Sequence, residues 1–310
     1  EEKNVIDLNS LDENRKFELY LSDDWEKYLT NNPLFATYTG DKRLNNKINP
    51  NTIGYFLKEL ESDKSSLAGL YNIDFLMLNN ENKLNYKLKE FSLNESINSK
   101  KFPIYYLRLN QRGGIQSFYE TGNRLVYSSP QDYFDWLERL EEFTNHINIS
   151  LKINKEGLSK GITQPKMITK GVIEQIDAII NSDINANPYM KVFLEADETL
   201  LTKSEKISLI NDAKDLIVNK INPAYIKLNK FLKNDYIVNS RDSIGIKDVP
   251  GGSEYYEDLA KHFTTTNLTP DEIHEIGLTE IKRIRSEMEA IIELVDWDGD
   301  FSSFLNYLRT

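Results

Sequence analysis

The sequence predicts an all-α protein, a predominantly helical array with at most a minor β element. Apolar residues recur at spacings of three and four along most of the chain, which is the period of one face of an α-helix. Runs that alternate apolar and polar residues, as half-buried strands do, are scarce. Because no repeat, linker or low-complexity tract breaks this pattern, we treat residues 1–310 as a single helical region without a clear internal boundary.

Capping signals mark the first two long helices. Ser10 and Glu13 form a capping-box pattern, and an apolar stripe then runs from Phe17 to Leu29. Residues 31–33, Asn-Asn-Pro, stop this helix because proline cannot continue it. Residues 129–130, Ser-Pro, open the second helix, since proline suits the first helical position. The stripe of the second helix is Tyr133, Phe134, Leu137, Leu140 and Phe143.

The middle of the chain continues the helical pattern. Residues 167–180 predict one helix, and residues 209–232 predict a helical pair that is interrupted at Pro223, which lacks a backbone donor. Residues 104–109 are aromatic and β-branched enough for a strand. Periodicity alone does not separate that strand from extended packing or a short buried helix, so all three remain open.

The last long helix has the clearest start. Thr269 is the predicted N-cap, Pro270 the first helical position, and Glu272 completes a capping box. We expect the apolar stripe of this helix to pack on a core. The stripe consists of Ile273, Ile276, Ile281, Ile284, Met288, Ile291, Ile292 and Val295. A further helical pattern, residues 301–308, continues to the end of the sequence.

Composition narrows the classes of partner. The chain has 38 Lys and Arg against 49 Asp and Glu, a net charge of −11, which disfavours nucleic acid and anionic membrane surfaces. Cysteine is absent, so disulfides and thiolate metal sites are excluded. No apolar run of about 18 residues predicts a transmembrane segment. Residues 1–4 lack an initiator Met, and we expect that a signal segment or an expression tag preceded them.

Histidine spacing predicts no metal site in this chain. The three histidines are His146, His262 and His274. Helical zinc peptidases need His-Glu-x-x-His, in which both histidines face one metal; His274 and Glu275 begin that pattern, but Leu278 ends it. We interpret His274 as a partly exposed residue near a helix start. His146 is expected near a helix end, in contact with a carbonyl or carrying a charge.

Two segments stand out as candidate binding residues. In the first, Asn110 and Gln111 precede Gly113 and Gly114, and the double glycine allows close approach of another group. A plain surface turn explains the same residues.

The second segment surrounds the start of the last long helix. Its candidates are Gly251, Gly252, Tyr255, Tyr256, His262, Thr264, Thr265 and Thr266. Hydroxyls close to a helix N-terminus would suit a substrate carboxylate, although Asp271 and Glu272 add opposing charge there. The alternative is that the tyrosines are core aromatics and the threonines satisfy their own hydroxyls in a lead-in to the cap.

Several stretches resemble one family. They are Ala36-Thr37-Tyr38-Thr39-Gly40-Asp41-Lys42-Arg43; Leu109-Asn110-Gln111 with Gly113-Gly114; Asn222-Pro223-Ala224-Tyr225; Pro250-Gly251-Gly252 with Tyr255-Tyr256; His262 with Thr264-Thr265-Thr266; and Thr269-Pro270-Asp271-Glu272-Ile273-His274. In that order they are similar to the bacterial family catalogued as domain of unknown function 885. The resemblance implies a longer, largely helical protein, often exported or carried as a lipoprotein, of which this chain is the N-terminal part. It also implies a zinc metallopeptidase-like motif in the later half, with a Pro-Gly-His-His run that this sequence lacks.

The resemblance implies the following function. The chain is expected to be the substrate-positioning part of a zinc hydrolase acting on peptides, with zinc and its motif in a missing C-terminal lobe. Tyr255, Tyr256 and His262 are then candidate oxyanion stabilisers, and the glycines, amides and threonines above are substrate-binding candidates. Phe263, inserted where relatives continue directly from histidine to threonine, puts the direction of His262 in question. The alternative is a non-catalytic binding or scaffold module of an exported lipoprotein. A periplasmic or lipid-anchored location is expected, and a cytoplasmic one stays open.

Overall fold

The computed structural model describes residues 11–309, which group into two compact units, Glu1–Gly251 and Gly252–Thr310. The sequence analysis placed no boundary at this point. In the described residues the chain is helical throughout, and its β pairing is one isolated bridge between Pro165 and Arg241. The prediction of an all-α protein is confirmed.

The first unit contains ten α-helices within its described residues. They are α1 (Glu13–Asn31), α2 (Pro33–Tyr38), α3 (Ile53–Leu70), α4 (Asn80–Ser99), α5 (Tyr119–Arg124), α6 (Pro130–Ser159), α7 (Lys166–Ile180), α8 (Lys191–Leu194), α9 (Lys203–Leu216) and α10 (Asn222–Phe231). Short 3₁₀ turns include Ile104–Leu107 and Ile115–Ser117, and π turns span Ile217–Ile221 and Leu232–Tyr236. The long α6 runs through the centre and packs on α9 and α10.

The predicted ends of the first helices agree with the structure. Helix α1 ends at Asn31, and Pro33 begins α2. Ser10 of the predicted capping box lies outside the described residues; within them, the Asp12 carboxylate caps α1 by accepting from two backbone N–H groups. Helix α6 begins at Pro130 as predicted, and the structure adds a capping box formed by Ser129 and Asp132.

The main core forms where α6, α7, α9 and α10 meet. Trp136, Leu140, Phe143 and Ile147 of α6 are buried against residues of the other three helices. The spacing of these residues places them on one face of α6. Of the predicted stripe, Tyr133, Leu140 and Phe143 are buried, whereas Phe134 and Leu137 are only partly buried. Trp136 and Ile147 belong to the buried face but were not predicted. A smaller cluster around Phe17 holds α1, α3 and α4 together.

The structure corrects the predicted break at Pro223 and decides between the alternatives for residues 104–109. The helix is not broken at Pro223, because the π turn Ile217–Ile221 directly precedes it and the Asn222 N–H already bonds the Ile217 carbonyl. This wider bonding register carries the helix past a residue that has no N–H. Of the three alternatives for residues 104–109, the structure agrees with the short buried helix, since Ile104–Leu107 is a 3₁₀ turn with Tyr106 buried.

The second unit consists of α11 (Gly252–Thr264), α12 (Pro270–Leu294) and α13 (Phe301–Tyr307). The Thr269 capping box is confirmed, with the Glu272 N–H donating to the Thr269 hydroxyl at 3.2 Å and the Glu272 carboxylate accepting from the Thr269 N–H at 2.8 Å. The helical pattern of residues 301–308 is confirmed as well.

The expectation that the stripe of α12 packs on a core is wrong for the described chain. No residue of α12 is buried, and Ile281 and Leu294 are 66% and 84% exposed. The amphipathic pattern determines which face of a helix is apolar, but it does not determine what covers that face. None of the described helices is long and apolar enough to cross a bilayer.

Candidate functional site

A cleft of about 650 Å³ opens on the surface of the first unit. Its walls come from α3, from the segment after the Ile104–Leu107 turn, from α5 and from the middle of α6. Of the residues predicted from sequence, Gly113 and Gly114 line this cleft. The volume lies in the usual range for small-molecule and peptide sites, about 300–1,000 Å³.

Amide side chains fix the loop that carries the two glycines. The Gly114 N–H donates to the Asn110 carbonyl at 2.9 Å, and the Gln116 side chain donates to the same carbonyl at 2.8 Å. Gln116 also donates to Gln175 of α7 at 2.7 Å, and Gln175 donates back to the Gln111 carbonyl at 2.9 Å. The loop is therefore tied to α7 and is not a free surface turn.

Two buried tyrosines support the loop from beneath. The Tyr225 hydroxyl donates to the Ile115 carbonyl at 2.9 Å and lies 2.7 Å from the Tyr189 hydroxyl. Since Tyr225 has one hydroxyl proton, which goes to Ile115, Tyr189 is the donor to Tyr225. Burial raises the pKa of both tyrosines well above the ordinary value. Tyr225 belongs to the 222–225 motif, so this motif holds the 109–114 motif in place.

Substitution by alanine is expected to lower stability at Gly114 but not at Gly113. A Cβ at Gly114 would lie closer than 3.0 Å to the Asn110 carbonyl oxygen and to the Gln116 side chain, whereas a Cβ at Gly113 meets nothing within 4 Å. We expect Gly114→Ala to lower the free energy of unfolding by about 1–3 kcal/mol, as overpacking typically does. Gly113→Ala is the control and should stay within about 0.5 kcal/mol. Urea unfolding of both variants measures this, and equal stabilities would contradict it.

Two guanidinium groups line the cleft without a carboxylate partner. Arg108 lies over the ring of Phe56 at 4.0 Å, and Phe56 stacks on Tyr105 with an interplanar angle of 1°. Arg112 is exposed. Neither arginine forms an ion pair with any residue between 11 and 309, whereas Arg124 at the same cleft is 2.6 Å from Glu120.

His146 lies in the wall of the cleft, in the middle of α6. It is 8% exposed, and its imidazole has no hydrogen bond to the part of the chain that the structure describes. Burial, followed by the charge of Arg108, lowers the pKa of His146 to about 4, so the ring is neutral at pH 7. The expectation of a residue near a helix end was wrong. His146 follows Phe143 at a spacing of three, and the apolar stripe could have revealed its burial.

Unpartnered acceptor atoms are a further feature of the cleft wall. The side-chain oxygens of Asn51 and Asn154 are buried and lack a donor among residues 11–309. Asn154 is only 2% exposed, and its amide nitrogen donates to the Ser150 carbonyl at 2.8 Å. Buried acceptors normally have a donor, but both oxygens have almost no accessible surface, so a ligand in the open cleft does not reach them.

A second cleft, of about 470 Å³, borders the other side of the loop. Gln111 lines it, together with Gln116 and Gln175, and the side-chain oxygens of Gln111 and Gln116 are buried without a described donor. Asn110 lines neither cleft. Its side-chain oxygen accepts from the Arg112 N–H at 2.9 Å, so Asn110 shapes the turn.

The remaining predicted residues lie on or beside α11. Tyr255 and His262 are seven residues apart, which places them on one face of the helix. Burial, and then Asp258, raises the pKa of Tyr255, while Tyr256 is 52% exposed. His262 is exposed and contacts the edge of the Phe263 ring.

The threonines after α11 bond largely to their own turn. The Thr264 hydroxyl donates to the Ala260 carbonyl at 2.7 Å, and the Thr266 hydroxyl accepts from the Leu268 N–H at 3.3 Å. Thr265 has a positive φ of 54°. Gly251 has φ 74°, a value that glycine adopts without strain, and Gly252 begins α11.

The described residues contain no group of three or more His, Asp or Glu side chains that could hold a metal ion. The candidate groups within these residues are guanidinium and amide groups in the first unit and tyrosines in the second.

Comparison with known proteins identifies a family and similar solved structures. Residues 33–310 match the family model described as "Bacterial protein of unknown function (DUF885)". One of these structures is titled "The crystal structure of the putative lipoprotein from Colwellia psychrerythraea", with 19% identity, a TM-score of 0.78, and coverage of 93% of this chain and 52% of that chain. This chain thus spans about half the length of that protein, and the likeness shows the fold. No curated protein matches.

Proposed function

Because this chain belongs to the family of bacterial proteins of unknown function (DUF885), we propose that it is the substrate-positioning part of a zinc metallopeptidase-like hydrolase acting on peptides. In this proposal zinc and its ligands are supplied from outside these 310 residues. The lipoprotein title of the similar structure supports export, to the periplasm or to a lipid anchor.

The observation that carries the proposal is the larger cleft. It is about 650 Å³ in volume and is lined by two guanidiniums that form no ion pair with a described residue and by aromatic rings. A peptide supplies the complementary groups, since its carbonyl or carboxylate oxygens accept from arginine and its side chains pack on aromatic rings. The loop of Gly113 and Gly114 is held by bonds to α7 and by Tyr225, so the wall is preformed.

The second unit is proposed to act on the reacting carbonyl. Tyr255 and His262 share one face of α11, and a tyrosine hydroxyl is a suitable donor to a developing oxyanion. Tyr256 is the adjacent donor. The threonine turn is assigned a lesser part, because the Thr264 and Thr266 hydroxyls already bond within it.

A non-catalytic binding module is the second candidate. The bonding of the threonine hydroxyls within their own turn favours it, since that turn then needs no substrate. The cleft of the first unit would serve a binding module as well as an enzyme, so activity has to separate the two candidates.

The test compares peptide hydrolysis and melting of the intact protein with those of Tyr255→Phe, Tyr256→Phe and His262→Ala. Losing one oxyanion donor should lower kcat by about 10²–10³ with the melting temperature nearly unchanged. Tyr307→Phe, in the same unit, is the control for removal of a tyrosine hydroxyl. If all three folded variants hydrolyse peptides at the original rate, the tyrosines and His262 have no catalytic role. If the original protein hydrolyses no peptide, the binding module is favoured.

A further inference from the structure

We propose that the larger cleft recognises the free carboxylate end of a short peptide through Arg108 and Arg112. This inference rests on the proposed function, since it takes the cleft to bind peptide, and adds which end of the peptide enters. The argument starts from the charge partners of the arginines.

The described residues contain ten arginines, in a chain that has 49 acidic residues against 38 basic ones. Arg309, at the end of the described residues, does not line the cleft. Most arginines of the described residues have a clear structural partner. Arg15, Arg43, Arg124, Arg283 and Arg285 pair with carboxylates, and Arg139 and Arg241 bond backbone carbonyls. Arg108 and Arg112 have neither kind of partner among residues 11–309, and both line the same cleft. Their donors remain available to an external acceptor.

The position of Arg108 supports a planar, two-pronged contact. Its guanidinium lies 4.0 Å from the centre of the Phe56 ring, and Phe56 is itself stacked on Tyr105. Such stacking holds the guanidinium plane while leaving its N–H edge free, which suits a carboxylate. Arg112 follows Asn110 in the loop that α7 and Tyr225 hold in place, so the second charge is also on a fixed support.

The size and the aromatic lining of the cleft favour a peptide end over a simple anion. The cleft has a volume of about 650 Å³, and Phe56, Phe118 and Phe143 line it. Peptide side chains pack on such rings, whereas inorganic phosphate would engage the arginines alone and would leave most of the volume to water. The neutral ring of His146 adds no positive charge and is able to donate or accept.

The other charges at the cleft leave room for one carboxylate. Glu120 is paired with Arg124 at 2.6 Å, and Glu59 accepts from the Tyr55 hydroxyl at 2.9 Å. Burial lowers the pKa of Arg108, and the charge of Glu59 raises it by less, so Glu59 acts on Arg108 without forming an ion pair. The cleft therefore holds three arginines and two glutamates in a chain whose net charge is −11. The local excess of positive charge suits a singly charged ligand.

The experiment uses the 310-residue chain and a tripeptide pool, Ala-Xaa-Ala, prepared once with a free carboxyl and once as the amide. Dissociation constants come from ligand-detected NMR titration. We expect the free acid to bind at least about tenfold more tightly, as hydrogen bonds to a charged group imply. Arg112→Gln should bring the ratio close to one while changing amide binding by less than about twofold, because only the charged contact is lost.

The matched control removes the other arginine of the cleft without changing net charge. In the double variant Glu120→Gln with Arg124→Gln, the paired charges disappear together, and the preference for the free acid should remain. Arg108→Gln is a second test of the same contact and should also weaken the preference.

Three outcomes overturn the inference, each in a recognisable way. Equal binding of acid and amide by the original chain leaves peptide binding intact but excludes carboxylate recognition. Competition by inorganic phosphate as strong as that of the free-acid pool shows a general anion site. Binding of neither pool removes the peptide-binding premise, and the inference with it.

Discussion

Replacing Arg139 with methionine is expected to lower the free energy of unfolding of the first unit by about 3–5 kcal/mol, the scale seen when a buried charge network is broken. Arg139 is 0% exposed and extends from α6 to the segment 33–47. Its guanidinium donates to the carbonyl of Lys47 at 2.7 Å and to the Thr37 hydroxyl at 2.5 Å. It also donates to the carbonyls of Pro33 and Leu44 at 3.3 and 3.2 Å.

The large effect follows from the loss of four hydrogen bonds made by one charged group. Methionine fills a similar volume and is apolar, but it makes none of these bonds, and a hydrogen bond to a charged group contributes about 1.5–3 kcal/mol. The Lys47 carbonyl then has no donor among the described residues, whereas the Pro33 and Leu44 carbonyls keep the Thr37 hydroxyl and the Lys47 N–H. Burial lowers the pKa of Arg139 to about 10, and Asp135 acts in the opposite direction, so the side chain remains charged at pH 7. The segment it holds contains residues 36–43, the first of the family motifs.

Urea unfolding followed by Trp136 fluorescence measures this effect, because Trp136 lies in the same helix and is 1% exposed. The chain has three tryptophans, so all variants carry Trp25→Phe and Trp297→Phe to leave Trp136 as the single fluorophore. Arg15→Met is the control, since Arg15 pairs with Glu18 at the surface and should contribute less than about 1 kcal/mol. Arg139→Lys keeps the charge but has fewer donors and should be intermediate. A loss below about 1 kcal/mol in Arg139→Met would show that water replaces the guanidinium.

Helix positions were predictable from sequence because their signals are local. Pro33 and the Ser129 and Thr269 caps act through bonds to nearby residues, so the printed sequence contains the whole cause. The π turn before Pro223 was not predictable, since the missing proline N–H does not determine how the preceding turn rearranges. The exposure of the α12 stripe was not predictable either, because periodicity indicates which face is apolar but not which residues cover it.

The candidate site was only partly predictable. Two consecutive glycines predict an unusual loop at residues 113 and 114, and both residues line the cleft. Arg108 and Arg112 could be seen in the sequence, but their lack of a carboxylate partner depends on tertiary packing. Asn51 and Asn154 come from distant parts of the chain, and they line the same cleft only because the loop before α3 lies beside α6. No local sequence pattern predicts which distant residues share a cleft.

Between pH 6.5 and pH 4, we expect His146 to make the first unit less stable as the pH falls. Burial, and then Arg108, lowers the pKa of this histidine to about 4, against an ordinary value of 6.5. Within this window the unfolded chain binds a proton that the folded chain does not bind, so the free energy of unfolding rises with pH. The stability that depends on a neutral His146 is fully present above the pKa of the unfolded chain. It decreases as the pH falls through the window and is lost below the pKa of the folded chain.

The expected change is on the order of 2–3 kcal/mol across the window, since one pKa unit corresponds to about 1.4 kcal/mol. Urea unfolding at several pH values, followed by Trp136 fluorescence, measures it. His146→Gln cannot titrate and should flatten the slope between pH 4 and 6.5, whereas His274→Gln, at an exposed position on α12, should leave the slope unchanged. Burial raises the pKa of Asp132, but hydrogen bonds from Lys42, Ser128 and Ser129 outweigh this effect and lower the pKa overall. The stability that Asp132 contributes is therefore lost at a lower pH than that of His146. A slope in His146→Gln equal to that of the original chain would mean that His146 takes up its proton in the folded protein as readily as in the unfolded chain.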